Sequence, residues 1–211
     1  GIKNKNLQKI GNNSLIQISI NSAIKSKYID QIIVSSDSKK ILKSIIGKKI
    51  ERHCRKKILS SDHSQISDVL LNILEEYEGD YIILLQPTSP FRTTYDIDRI
   101  IKETITHNRK SSVSIQISKN IPEFMYSVDK NKKLKPYLNT NKISTNRQSY
   151  KTYFAPNGEL YISDVESFKK TKKLINRNTY GYISKNKILI DIDTINDLKI
   201  ARAIFKLKNC F

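Results

Sequence analysis

The sequence predicts an α/β fold on a parallel sheet covered on both faces. Three observations predict it. β-Branched and apolar runs at Ile32-Ile33-Val34, at Tyr81-Ile82-Ile83-Leu84-Leu85 and from Ser112 to Ile117 read as buried strands. Between them, apolar residues recur at helical spacing, at Ile41, Leu42, Ile45, Ile46, then Val69, Leu70, Ile73, Leu74, then Ile97, Ile100, Ile101, Ile105. Strand, helix and strand in alternation make βαβ units, whose crossovers run neighbouring strands parallel. The 211 residues suit one domain with a real core.

Taken in order, Leu15, Ile16, Ile18, Ile20, Ala23 and Ile24 predict a first helix ahead of the Ile32 strand. Asp62 to Ser67 offer caps for the helix through Val69 to Leu74, and Thr93-Thr94 for the helix after the second strand. Residues 120–153 are polar, lysine-rich and irregular, with a possible strand over Phe124 to Val128; they read as a flap or an oligomerisation arm. Strands return at Glu159 to Ile162 and Ile188 to Ile192. A last helix follows through Ile195, Leu198, Ala201, Ile204 and Phe205, with Thr194 and Asp197 in capping-box spacing.

Composition excludes several classes. No run approaches the roughly 18 to 20 apolar residues that span a bilayer, so no membrane partner is expected. Cys54 and Cys210 lie far apart with no Cys-x-x-Cys spacing, which argues against a cysteine zinc site and for a cytoplasmic setting. The net charge of +18 comes mostly from lysines scattered among Asn and Ile, as on solvated faces. A basic cleft for anionic substrates accounts for the rest of that expectation. With no Trp and no RNP-like motif, no specific nucleic-acid partner is expected.

Ligands in such sheets sit at the carboxyl ends of strands. There the chain has Leu84-Leu85-Gln86-Pro87-Thr88-Ser89-Pro90-Phe91-Arg92-Thr93. Two prolines stiffen this turn, which either presents Gln86 to a ligand or simply connects strand to helix. In Ile190-Asp191-Ile192-Asp193-Thr194, period-two spacing puts both carboxylates on one face of a short strand. Two such oxygens suit Mg²⁺ together with phosphate oxygens; the alternative is a helix-start aspartate beside an exposed one. Asn157-Gly158 before an apolar strand is a turn signal first and a polar ligand contact second.

In this order the pieces resemble the acylneuraminate cytidylyltransferase family, the CMP-sialic acid synthetases, over essentially the whole chain. Gly1 to Asn6 is similar to the end of that family's phosphate-binding loop, Ile32 to Asp37 to its IVSTD strand end, and Arg55 through Ser60-Ser61-Asp62 to its arginine and Ser-Asp segment. Leu84 to Thr93 and Ile190 to Thr194 are the most specific matches; Arg147-Gln148, Asn157-Gly158 and Tyr161-Ile162 keep the family's order. The resemblance implies a Rossmann-like nucleotidyltransferase fold with a mostly parallel sheet, a single domain over 1–211 and a dimerisation extension over about 120–153 of a homodimer. It implies transfer of CMP from CTP to the anomeric hydroxyl of an acidic nine-carbon sugar, with Mg²⁺ as cofactor. Lys5, Asp191 and Asp193 would be catalytic, the two aspartates holding the metal. Lys5, Asn6, Arg55, Asp62, Ser64 and Gln65 would meet the nucleotide. Gln86, Thr88, Ser89, Arg147, Gln148 and Asn157 would meet the sugar.

Departures from the family pattern carry expectations too. The family's first strand and its ARxxSK stretch would precede Gly1, so the chain is expected to be truncated there and its activity reduced. Ala155 stands where many members have arginine, and Lys151 where proline is frequent. The segment from Asp62 to Asp68 is a residue shorter than in some members. Transfer to the eight-carbon sugar Kdo, or a non-catalytic binding module of the same fold, are the alternatives.

Overall fold

The structure, a computed structural model, describes residues 2–61, 64–138, 151–186 and 188–208. It divides into two compact units, Gly1–Ser114 with Asn157–Phe211, and Ile115–Pro156.

The first unit opens with a 3-10 turn at Lys5–Leu7 and a small antiparallel ribbon, β1 (Lys9–Ile10) and β2 (Asn13–Ser14). Helix α1 (Leu15–Ile24) starts where Ser14 accepts a hydrogen bond from the Gln17 amide, a side-chain N-cap. Strand β3 (Ile32–Ser36), helix α2 (Lys39–Ser44) and strand β4 (Ile50–Cys54) form the expected parallel unit, with Ile32 opposite Ile50 and Ser36 opposite Cys54. Helix α3 (Ile66–Ile73) leads to β5 (Tyr81–Leu84), and α4 (Thr94–Thr106) begins where Thr93 caps the Asp96 amide. Strand β6 (Ser111–Ile117) carries the chain into the second unit. There a 3-10 turn at Pro122–Phe124 precedes an exposed antiparallel hairpin, β7 (Tyr126–Val128) and β8 (Leu134–Pro136). Strand β9 (Phe154–Asp164) brings the chain back, followed by α5 (Val165–Thr171), β10 (Tyr180–Ile183) and α6 (Ile195–Lys208).

One sheet runs in the order β10-β6-β9-β5, and β3-β4 form a separate pair. The sheet is mixed rather than mostly parallel, because β5 and β9 pair antiparallel from Tyr81 opposite Asp164 to Leu84 opposite Tyr161. The crossover rule governs strands joined through a covering helix; β9 is reached instead through residues 115–156, and nothing forces it parallel. A second correction concerns Ile188 to Ile192, which forms no ladder. These residues are held by single hydrogen bonds instead: the Asn186 carboxamide oxygen accepts the Ile188 amide, and the Ile192 amide donates to the Thr88 carbonyl at 2.9 Å.

Four apolar clusters hold the unit together. Ile97, Ile100 and Ile101 of α4 pack on Leu160 and Ile162 of β9. Ile192, Leu198 and Ala201 pack on Ile10 and Leu15, which docks α6 against the chain's opening. Ile20, Val34, Leu42, Ile45 and Ile50 fill the β3-β4 side, and Val69, Leu70, Ile73, Phe168 and Leu174 the α3 side. Both β3 and β5 line an apolar cleft of about 530 Å³, walled by α1 and α3. Every residue of β5 is only half-buried. Among the described residues, no helix is long and apolar enough to cross a membrane.

Candidate active site

Two of the expected catalytic groups meet directly. Lys5, on the 3-10 turn, donates from Nζ to Asp193 Oδ1 at 3.0 Å. The pair is open to water, with side chains 30% and 71% exposed, so it contributes at most about 1 kcal/mol and is easily exchanged for another partner. Asp191 and Asp193 are exposed on either side of buried Ile192, in a segment that is not the expected strand. Asp193 is tied further by its neighbour: Asp197 accepts from the Asp193 amide at 3.2 Å, the Thr194 amide at 2.7 Å and the Thr194 hydroxyl at 2.8 Å. This is the capping box expected from sequence. Those hydrogen bonds, with Thr194 foremost, hold the Asp197 carboxyl below its ordinary range.

Gly158 brings Asp191 close to Gln86, one of the residues expected to meet the sugar. Its φ is +79°, and a Cβ there would lie 3.2 Å from Gln86 Oε1 and 3.3 Å from Asp191 Oδ2. Gln86 and Asp191 therefore flank one glycine.

Behind this surface lies a buried polar network that the sequence did not announce. Arg92, only 3% exposed, donates from Nη1 to the carbonyls of Gln86 at 3.0 Å and Glu159 at 2.8 Å, and from Nη2 to Ser19 Oγ at 2.7 Å. Burial pulls its guanidinium down to about 10, and the charge of Glu159 opposes that fall. Burial raises the Glu159 carboxyl above its usual range, against hydrogen bonds from Ser184 and Asn186. Asn157 is buried and committed inward: its Oδ1 accepts from Ser114 Oγ and the Glu159 amide, and its Nδ2 donates to Glu159 Oε2 at 3.0 Å. One N–H of that carboxamide is left for anything else. The signal for this network was present in the placement of one arginine and one glutamate beside strand ends. Nothing in the spacing, however, distinguishes a buried charge from a solvated one.

The remaining expected contacts are distributed as follows. Arg55 follows β4 and donates from Nη2 to the Ser35 carbonyl at 3.1 Å, while its Nε has no partner. Asn6, Ser35, Arg55 and Gln86 are all among the residues that line the apolar cleft. Ser64 donates to the Ile58 carbonyl at 3.0 Å and closes a local turn with Ser61; Gln65 is the exposed N-cap of α3. Thr88 is half-buried and holds Ile192 through its carbonyl, whereas Ser89 is 2% exposed and faces the interior. Asp62, Arg147 and Gln148 lie outside the described residues. The structure thus brings together Lys5, Asp193, Asp191, Gly158 and Gln86, and puts Asn6 and Arg55 on the same cleft as Gln86. Among the described residues no group of three or more His, Cys, Asp or Glu side chains is arranged to hold a metal ion. A cation at Asp191 and Asp193 would complete its shell from ligand oxygens or water, which is the habit of Mg²⁺.

The chain is similar to known proteins in sequence and in fold. The sequence model of the family described as "Cytidylyltransferase" matches residues 1–206. The N-acylneuraminate cytidylyltransferase of Streptococcus agalactiae serotype V is 27% identical over 200 residues, covering 93% of this chain and 48% of that protein. The chain therefore spans about half the length of that relative. The CMP-N,N'-diacetyllegionaminic acid synthase of Legionella pneumophila is 28% identical over 220 residues, covering 96% of this chain and 90% of that one. Among solved structures, a CMP:2-keto-3-deoxy-manno-octonic acid synthetase complexed with CTP superposes with a TM-score of 0.69 at 15% identity, covering 98% of this chain and 93% of that one. At that identity the likeness shows the nucleotidyltransferase fold.

Proposed function

The chain belongs to the cytidylyltransferase family, and within it we propose transfer of CMP from CTP to the anomeric hydroxyl of a nonulosonic acid, releasing pyrophosphate. The observation that carries this reading is a pair of contacts two residues apart, Lys5 on Asp193, and Asp191 beside Gln86 at Gly158. The names of the streptococcal and Legionella relatives support the sugar class.

In this reading the anionic triphosphate enters at the Lys5 end. Lys5 leaves Asp193 for a phosphate oxygen, a cheap exchange because the ion pair is exposed. Arg55 and Asn6 lie toward the nucleotide, and Gln86 orients the sugar by hydrogen bonds. The anomeric hydroxyl attacks the α-phosphorus and gives up its proton to water, the bond to the bridging oxygen breaks, and pyrophosphate leaves with the electron pair. Asp191 and Asp193 would hold Mg²⁺, which offsets charge on the phosphates during such a displacement. Lys5 stabilises the same developing charge from the protein side. The second unit serves as a dimerisation arm in this reading, and the setting is cytoplasmic.

The test is pyrophosphate release from CTP and Mg²⁺ with N-acetylneuraminate, legionaminate, pseudaminate and Kdo supplied separately. Release with one or more of the first three is expected. Release with Kdo alone would move the chain to the eight-carbon class, and silence from folded protein with all four would remove the transferase reading.

A further inference from the structure

We propose that Arg92 is a positioning residue, a wedge that holds the exit of β5 apart from β9 and so presents Gln86 to the sugar; this rests on the reading of Gln86 as a sugar contact. The ladder between these strands ends at Leu84 opposite Tyr161. Carried two residues further, the same register would set Gln86 opposite Glu159. At that level the two main-chain carbonyls are bound instead by a single side-chain nitrogen, Arg92 Nη1, at 3.0 Å and 2.8 Å. In an antiparallel ladder such carbonyls accept N–H groups from the facing strand. A donor inserted from the side satisfies both without the strands closing.

The wedge is anchored and stiffened from behind. Arg92 Nη2 donates to Ser19 Oγ of α1 at 2.7 Å, so the guanidinium joins three elements. The planar fork of arginine serves several acceptors in fixed directions, which the ammonium of a lysine does not reproduce. The turn helps, because the Gln86 carbonyl also accepts the Ser89 amide at 3.3 Å, and Pro87 has no N–H with which to extend the ladder. What the open end presents is the Gln86 side chain, lying across the bare face of Gly158 beside Asp191. The wedge therefore acts on sugar orientation and leaves the Lys5 end of the site alone.

The experiment uses Arg92→Met, which keeps length and removes the donors, and Arg92→Lys, which keeps the charge. Dissociation constants for N-acetylneuraminate and CTP are measured separately by calorimetry, and amide exchange is followed at Gln86 and Glu159. Loss of two such hydrogen bonds is expected to weaken sugar binding by about tenfold or more while CTP binding stays within about twofold, with arginine-to-lysine in between. The Gln86 amide should exchange more slowly in Arg92→Met as the ladder closes, while the Glu159 amide, already bound to Asn157 Oδ1, serves as the internal reference. Equal weakening of both ligands, or of neither, in folded variants overturns the proposal, as does unchanged exchange. If Arg92→Met does not fold, Arg92→Lys and Ser19→Ala carry the same comparison. If the unaltered chain binds CTP but none of N-acetylneuraminate, legionaminate and pseudaminate, the sugar reading fails and the exchange measurement still decides the wedge; where it binds one of the other two, that sugar replaces N-acetylneuraminate in the comparison.

Discussion

Gly158 is where the two sides of the candidate site meet, and its requirement for glycine is double. At a φ of +79° any other residue is strained by roughly 1–2 kcal/mol. An added methyl would also press on Gln86 Oε1 and Asp191 Oδ2, both closer than 3.4 Å. Gly158→Ala is therefore expected to melt at lower temperature and to slow pyrophosphate release by about ten- to a hundredfold, since small misplacements of this kind are amplified in the rate. Wild-type turnover by a folded Gly158→Ala protein would detach Gln86 and Asp191 from the chemistry. Asp197 gives a second test at this scale. Its carboxyl is held low in the folded chain, chiefly by Thr194, so its contribution is present above the ordinary carboxylate range and is lost as pH falls through its folded value. The melting-temperature gap between wild type and Asp197→Asn should narrow as pH is taken from about 6 to about 2; a gap independent of pH would mean the charge plays no part. The exposed site residues were legible because Asp191, Asp193 and Gln86 sit in dense local patterns. Arg92 and Glu159 were not legible, because their partners come from Ser19 and Gln86 for one, and from Asn157 and Asn186 for the other. No local pattern encodes those contacts.

At the scale of the element, α6 positions the aspartate pair. Leu198 is fully buried against Ile10, Leu15 and Ile192, and Ile192 is the residue between the two aspartates. Leu198→Ala should cost about 2–5 kcal/mol in chemical denaturation, as buried leucine truncations do. Because the cavity opens under Ile192, the Mg²⁺ concentration needed for half-maximal turnover should rise as well. Lost stability with unchanged Mg²⁺ dependence would show that packing beneath Ile192 does not hold the carboxylates in place. The same helix shows which elements a sequence reveals. α4 and α6 carry apolar residues at three- and four-residue spacing and have caps at Thr93 and Thr194, so both were readable. β4 and β10 were not. β4 buries only Ile50 and His53 of Ile50-Glu51-Arg52-His53-Cys54, and β10 buries only Tyr182, so neither shows the alternation or the apolar run that marks a strand. The antiparallel entry of β9 was equally hidden, since strand direction here depends on a connection through residues 115–156 whose composition says nothing of its path.

The whole molecule carries one feature that no single element explains, a sheet in two parts. Among the described residues β3 pairs with β4 alone and β5 with β9 alone, and both line the same apolar cleft of about 530 Å³. Strands in the middle of an α/β sheet are covered on both faces and paired on both edges, yet Tyr81, Ile82, Ile83 and Leu84 are each only half-buried. A strand edge without a partner has main-chain groups that a further strand can satisfy. Such a strand would need about four or five residues at roughly 3.3 Å each to follow Ile32–Ser35 on one side and Tyr81–Leu85 on the other. Asn6 lies at the cleft, so a segment joined ahead of Gly1 can reach it. Adding there an apolar, β-branched segment with a short polar turn should raise the melting temperature and protect the amides of Ile32–Ser35 and Tyr81–Leu84 from exchange. Protection must appear on both strands, because a strand that bridges them bonds to each; protection of one alone would mean an edge addition rather than insertion. A lengthened chain with neither effect would show that the cleft is not built for a strand. An accompanying gain in CTP affinity would tie the completed sheet to the site, since Asn6, Ser35, Arg55 and Gln86 all line the cleft.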